Sequence, residues 1–290
     1  MTHALAVEEQ TGTKILYGVG TEAQARDAVT EIASKGISVI KIWVDDRGGS
    51  QEKLSPELYR IIINQAKSHS IQVFVHQQYA TDIPDLLDAG VSGFLHGRLG
   101  SDLTDSIAQQ LASSGAFVVP NLGLGELRRE AVGDDLFLQE TIPASVARRL
   151  SVAAGQRQAA TAINAERERQ RERELSESFT RLIAADVNVI LGTDAGAVPD
   201  HFFGYTGHRE LEIFVRLGMT PMQALIAATS KPATSLGLQD LGFLKEGFSA
   251  DLLVLDSNPL DNIRNTRSIS RVYLSGKEID RESMRSRFTN

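Results

Sequence analysis

Between residues 21 and 191, short apolar runs alternate with stretches of helical periodicity, so the chain reads as a repeated strand-and-helix unit. Thr21–Lys35 opens with a capping-box pair, Thr21 and Gln24, spaces Ala25, Val29 and Ile32 along one helical face, and stops at Gly36. The β-branched run Ile37–Val44 follows as a strand. Ser55 and Pro56 suit the N-cap and first position of the next helix, with Leu58, Ile61, Ile62 and Ala66 on one side. The pattern recurs: strand Ile71–Val75, helix Pro84–Ala89, strand Val91–Leu95, helix Asp102–Ser114, strand Ala116–Val119 and, much later, strand Val187–Leu191.

Between the last two strands, Ala144–Ala185 is a long helical stretch whose run Glu166–Glu174 mixes both signs of charge, the pattern of a solvated helix face. Helices are predicted over Gly207–Leu217 and Thr220–Thr229, the latter opened by Thr220, Pro221 and Gln223. From Gly242 the texture becomes short strands and turns: Asp251–Leu255, Arg271–Leu274 and Lys277–Ile279, with Gly276 in a tight turn. The expected division is therefore an α/β body over 1–241 and a small β portion over 242–290. Strands that alternate with helices imply a parallel sheet. A closed barrel of this class takes eight strands, and five are legible, so the α/β sheet is either open or a barrel that starts in its middle.

Composition narrows the chemistry. With 290 residues, 42% hydrophobic and 23% charged, the chain can bury a large core. A formal charge of -7 and a pI near 5.5, with no basic stripe, argue against a nucleic-acid partner. The absence of cysteine removes disulfides, thiolate metal sites and a thiol nucleophile, so any metal must take nitrogen and oxygen ligands. No run approaches transmembrane length and Met1–Gln10 lacks a signal-like core, so no membrane partner and a cytoplasmic location are predicted.

The chemical signal is where polar residues fall relative to the strands. Lys41 lies within Ile37–Val44, on the face of Val39 and Trp43 by alternation. His76 and His96 directly follow the strands Ile71–Val75 and Val91–Leu95, and Asp194 lies three residues past Leu191. Active sites of barrels and open α/β sheets form at this carboxyl edge. Each residue also has an ordinary reading: a histidine that only packs, an aspartate that only caps a helix. A lysine in an apolar strand loses hydration, which favours its neutral, nucleophilic amine. It can form a Schiff base or capture carbon dioxide as a carbamate. The convergence of all four favours a metal site.

Val39-Ile40-Lys41-Ile42-Trp43, Val75-His76, Phe94-Leu95-His96 and Leu191-Gly192-Thr193-Asp194 resemble, in order and spacing, the later ligand motifs of the amidohydrolase superfamily, in the branch similar to imidazolonepropionase and prolidase-like enzymes. Met219-Thr220-Pro221, Ala227-Ala228-Thr229, Leu241-Gly242, Gly247, Ala250-Asp251-Leu252-Leu253-Val254-Leu255 and Asn258-Pro259-Leu260 resemble its closing helix and the return to its β-sandwich, so the resemblance runs from about Thr21 to Ile279. It implies a partial (β/α)8 TIM barrel of about the last five βα units with a small C-terminal β piece of the family's β-sandwich, and a hydrolase of carbon–nitrogen bonds in amides, cyclic amides or dipeptide-like small molecules, using one or two divalent ions, zinc by expectation. Lys41 would be the carboxylated bridging ligand, His76 and His96 ligands of one metal, and Asp194 a ligand of the other and the proton shuttle. The family's upstream His-x-His pair has no counterpart; the only upstream histidine, His3, lies in a segment without strand character. The chain is therefore expected to be a fragment with impaired activity and exposed faces that favour self-association. Two alternatives stay open: a non-catalytic or partner-dependent binding protein, and a Schiff-base lyase using Lys41. Candidate substrate-binding residues are Tyr79, Arg98, His201 and His208, in the loops after the strands.

Overall fold

The computed structural model describes residues 1–3, 16–96, 100–126, 132–163, 165–197 and 201–287. The chain forms two compact units, one of residues 1–120 and 177–189, the other of residues 121–176 and 190–290. The stretch 242–290, expected to stand apart, lies wholly within the second unit.

In the first unit, Thr2–His3 (β1) and Gly18–Val19 (β2) pair as a short parallel ladder, so His3 sits in a strand after all. Two-residue strands are too brief to leave an alternating pattern, which is why the sequence hid them. The main sheet has five parallel strands in unbroken chain order: Val39–Val44 (β3), Gln72–Gln77 (β4), Gly93–Leu95 (β5), Phe117–Val119 (β6) and Asn188–Val189 (β7). Doubly wound sheets reverse strand order at a switch point. This sheet does not, and is consistent with part of a TIM-barrel-like domain.

The connecting helices start where their side chains can satisfy free backbone N–H groups. Glu22–Ser34 (α1) has the predicted capping box: Thr21 Oγ1 accepts from Gln24 N at 3.3 Å and Gln24 Oε1 accepts from Thr21 N at 3.1 Å. Pro56–Ser68 (α2) begins on Ser55 with Pro56 in its first turn and buries Leu58, Tyr59, Ile62, Ile63 and Ala66. Its apolar face is rotated from the predicted one, since Ile61 is only half-buried while Tyr59 and Ile63 are buried. Ile83–Ala89 (α3) and Asp105–Ser114 (α4) complete the set, both stopped by left-handed glycines, Gly90 and Gly115.

The long helical stretch is present as Ala144–Ile163 (α5) and Ala165–Ala184 (α6), with residue 164 outside the described residues. Arg169 and Arg173 both pair with Glu166 on an exposed surface, as the charge run predicted. Within the first unit, α6 buries Ser178, Phe179 and Leu182, and Ser178 Oγ donates to Gly100 O at 2.9 Å.

The second unit has a core of Val132, Leu138, Ile142, Ala147, Leu150 and Tyr205. Tyr205–Arg216 (α7) and Pro221–Ala228 (α8) follow, α8 opened by the predicted Thr220–Gln223 capping box. Glu210 of α7 is fully buried, and its carboxylate accepts from Leu122 N and Gly123 N, each at 2.7 Å. Leu252–Leu255 (β8), Ile269–Leu274 (β9) and Lys277–Glu278 (β10) form an antiparallel sheet in the order β10-β9-β8. The β9–β10 turn places Ser275 and Gly276 at φ 49 and 77, the mirror-image turn that matches strand twist. Among the described residues no helix is long and apolar enough to cross a membrane.

Candidate functional site

Strand register sorts the first unit's side chains onto two faces. Ile42, Val75, Phe94, Val118 and Val189 are cross-strand neighbours in one row, each 3% exposed or less. Burial of each such side chain contributes about 1.5–3 kcal/mol. Successive residues of a strand face opposite ways, so Lys41, Phe74, Gly93 and Phe117 form a rung of the other face, and Trp43, His76, Leu95 and Val119 form the next. Within the first rung Phe74 and Phe117 meet edge to face at 4.9 Å across Gly93. A β-carbon at Gly93 would stand 2.2 Å from the Phe117 ring, so glycine is what lets the two rings touch.

Above this aromatic layer the predicted residues of the first unit come together. Lys41 is half-buried, and its Nζ lies 3.0 Å from His96 Nε2. His96 follows β5 with φ 61, while its N–H still donates to Val119 O at 3.0 Å. The ring of His76 lies 5.0 Å from that of His96 and 5.7 Å from that of Trp43, and Lys41 Nζ stands 5.9 Å over Trp43. His76 is inside β4 rather than just after it, because β4 extends through Gln77. Burial holds the His76 imidazole below its ordinary pKa, opposed by Asp45 and reinforced by Lys41. It is therefore a neutral imidazole near neutral pH.

One member of the constellation was missed in the sequence. Asp45 directly follows β3, its side chain is 9% exposed, and its Oδ2 lies 3.0 Å from His76 Nε2. Its Oδ1 accepts from Arg47 N at 2.7 Å, and with the Gln78 amide nitrogen facing the acids Gln78 donates to Asp45 Oδ1 at 2.5 Å and Asp46 Oδ1 at 2.9 Å. The available signal was the adjacency of an acid to the strand that carries Lys41.

Tyr79 precedes the short turn Ala80–Asp82, with Lys53 Nζ 5.9 Å over its ring. Arg98 lies outside the described residues. Three belong to the second unit. Asp194 is in the loop after β7, at φ 52. His201 is 3% exposed; its Nε2 is 3.3 Å from Gly123 O, and its Nδ1 has no hydrogen-bond partner among the described residues. His208 is in α7, with Nδ1 3.0 Å from Thr266 Oγ1 and its ring edge-on to Phe137 at 5.1 Å.

Two imidazoles and a lysine able to carry a carbamate suit a divalent cation of zinc type in donor chemistry. Among the described residues, no three His, Cys, Asp or Glu side chains already stand as a cation cage. A lysine offers an oxygen donor only after it has taken up carbon dioxide.

Residues 20–279 match the model of the amidohydrolase family. Ochratoxinase of Aspergillus niger is 35% identical over 106 residues, 34% of this chain and 21% of that protein. Imidazolonepropionase of Deinococcus deserti is 39% identical over 93 residues, 32% of this chain and 23% of the relative. Among solved structures, a Xaa-Pro dipeptidase with bound methionine superposes with a TM-score of 0.70 at 21% identity over 96% of this chain and 64% of the other. A putative prolidase from Bifidobacterium longum gives 0.68 at 27% identity, over 94% and 63%. The matches thus span under two thirds of these relatives' own lengths.

Proposed function

Because the chain belongs to the amidohydrolase family, we propose that it carries the site of a metal-dependent hydrolase of carbon–nitrogen bonds in small amides, cyclic amides or dipeptide-like molecules. The observation that carries this reading is the meeting of Lys41, His76 and His96 on one face of the sheet, with Lys41 Nζ 3.0 Å from His96 Nε2. The family generally uses a divalent metal. Lys41 as a carbamate, together with His76 and His96, would hold it, and Asp194 would be a ligand of a second ion. When bound, such a cation supplies Lewis acidity that polarises the scissile carbonyl and lowers the pKa of water.

The chain's own residues do the rest. The free amine of Lys41 attacks carbon dioxide, loses a proton and becomes a carbamate anion, which brings a negative charge that imidazole nitrogens do not supply. By the family resemblance Asp194 would take a proton from the attacking water and hand it to the leaving nitrogen, the acid–base work of a carboxylate. Trp43 stands beside His76, with ring centroids 5.7 Å apart. Names of relatives support the bond class: a dipeptidase, a prolidase and an imidazolonepropionase.

The test is to supply the protein with zinc and bicarbonate and assay it on panels of amides, lactams and dipeptides. Turnover should fall by roughly a hundredfold or more in Asp194→Asn and in Lys41→Ala. The readout is a ratio between variants of one chain, so it does not depend on the absolute rate. Turnover equal in wild type and variants would overturn the proposal, and metal-independent trapping of a carbonyl compound on Lys41 by borohydride would replace it with a Schiff-base lyase.

A further inference from the structure

We propose that Asp45 is the positioning residue for His76: it accepts the Nε2 proton, fixes the tautomer and orientation of the ring, and so reserves Nδ1 as the nitrogen that binds metal. This inference rests on reading the Lys41–His76–His96 constellation as a metal site. A neutral imidazole has one N–H and one lone pair, and which nitrogen carries which is decided by the hydrogen bond on the other side of the ring. Here that bond is the 3.0 Å contact between His76 Nε2 and Asp45 Oδ2. A carboxylate with no proton of its own is only an acceptor, so the nitrogen that faces it must be the donor.

Asp45 is itself clamped. Its Oδ1 accepts from Arg47 N at 2.7 Å and from Gln78 at 2.5 Å, and Arg47 Nε lies 3.5 Å from Oδ2. Arg47 is held at φ 53, and its guanidinium lies 5.5 Å over the Trp43 ring. The carboxylate cannot swing away from His76 without leaving these donors unpaired. Strand β3 carries Lys41, which would carry the carbamate, and runs directly into Asp45, the acid that sets His76 on the neighbouring strand. A shift of β3 would move both together. Asp45 is not assigned as a ligand, because its two oxygens are already occupied by these donors and by His76.

The experiment has two readouts on the same protein. Long-range nitrogen–proton correlation spectra of the metal-free protein, with labelled histidine and at a pH above imidazole titration, report the His76 tautomer directly. Wild type should show Nε2–H, Asp45→Asn should retain it, since the amide oxygen still accepts, and Asp45→Ala should lose the preference. Chelator competition with Zn2+ alone, in bicarbonate buffer, should then show affinity reduced about 10–100-fold in Asp45→Ala and by less in Asp45→Asn, the range seen when a carboxylate behind a ligating histidine is removed. A purely structural role for Asp45 would lower the melting temperature without changing the tautomer. His76 found as Nδ1–H in wild type, or zinc bound equally tightly by wild type and Asp45→Ala, would overturn the proposal. Absence of zinc binding by wild type would instead sink the metal reading, while the spectra still judge the Asp45–His76 bond.

Discussion

Lys41 and His96, 55 residues apart, place Nζ and Nε2 within 3.0 Å of each other although β4 lies between their strands. The reach depends on His96, which leaves β5 at φ 61, a left-handed backbone that costs a residue with a β-carbon about 1–2 kcal/mol.

The strain is measurable by itself. In metal-free protein, His96→Gly should be more stable than His96→Ala by about 1 kcal/mol, since glycine alone occupies positive φ at no steric cost. Urea unfolding of the two variants gives the difference directly. Alanine equal to or better than glycine would show that the backbone there is not strained.

A second prediction concerns the aromatic layer beneath the site. Gly93→Ala would place a methyl group 2.2 Å from the Phe117 ring and should cost about 1–3 kcal/mol. Phe117→Leu in the same protein should recover part of the loss, because the two substitutions share one space. Unchanged stability of Gly93→Ala, measured by denaturant titration, would mean the ring moves freely and does not support the strand that leads into His96.

Helix starts and the faces of β3 were legible because each rests on chemistry local in sequence. The Thr21–Gln24 and Thr220–Gln223 capping boxes form where predicted, and period-two alternation put Lys41 with Trp43 on the face away from Ile40 and Ile42. The four candidates stood out in the sequence by their places within or just after strands. Contacts between strands were not. The Phe74–Phe117 pair needs a gap at Gly93 on the strand between them, and the Asp45–His76 bond depends on register between β3 and β4, neither of which spacing encodes. His76 was expected just past its strand, but pairing with β3 carries β4 through Gln77.

In the second unit, burial lowers the His208 pKa from 6.5 to about 4, helped by the nearby Arg267 guanidinium. The folded state thus keeps His208 neutral where the unfolded chain would protonate it. The resulting stability is fully present above pH 6.5, declines as pH falls through this window, and is lost once pH passes below about 4. The loss amounts to at most about 3 kcal/mol. Stability of wild type and His208→Gln, followed from pH 7 to pH 4, should converge toward acid as the wild type loses its advantage. Parallel curves would show that His208 is protonated alike in both states.

The account stands most directly on whether Lys41 is part of a metal site. Zinc content and affinity should be measured by elemental analysis and chelator competition, with and without bicarbonate, in wild type and Lys41→Ala. The account predicts about one zinc-like ion bound by the Lys41, His76 and His96 set, tighter binding as bicarbonate is added, and loss of both in Lys41→Ala. Metal content that is unchanged by Lys41→Ala and indifferent to bicarbonate would contradict it.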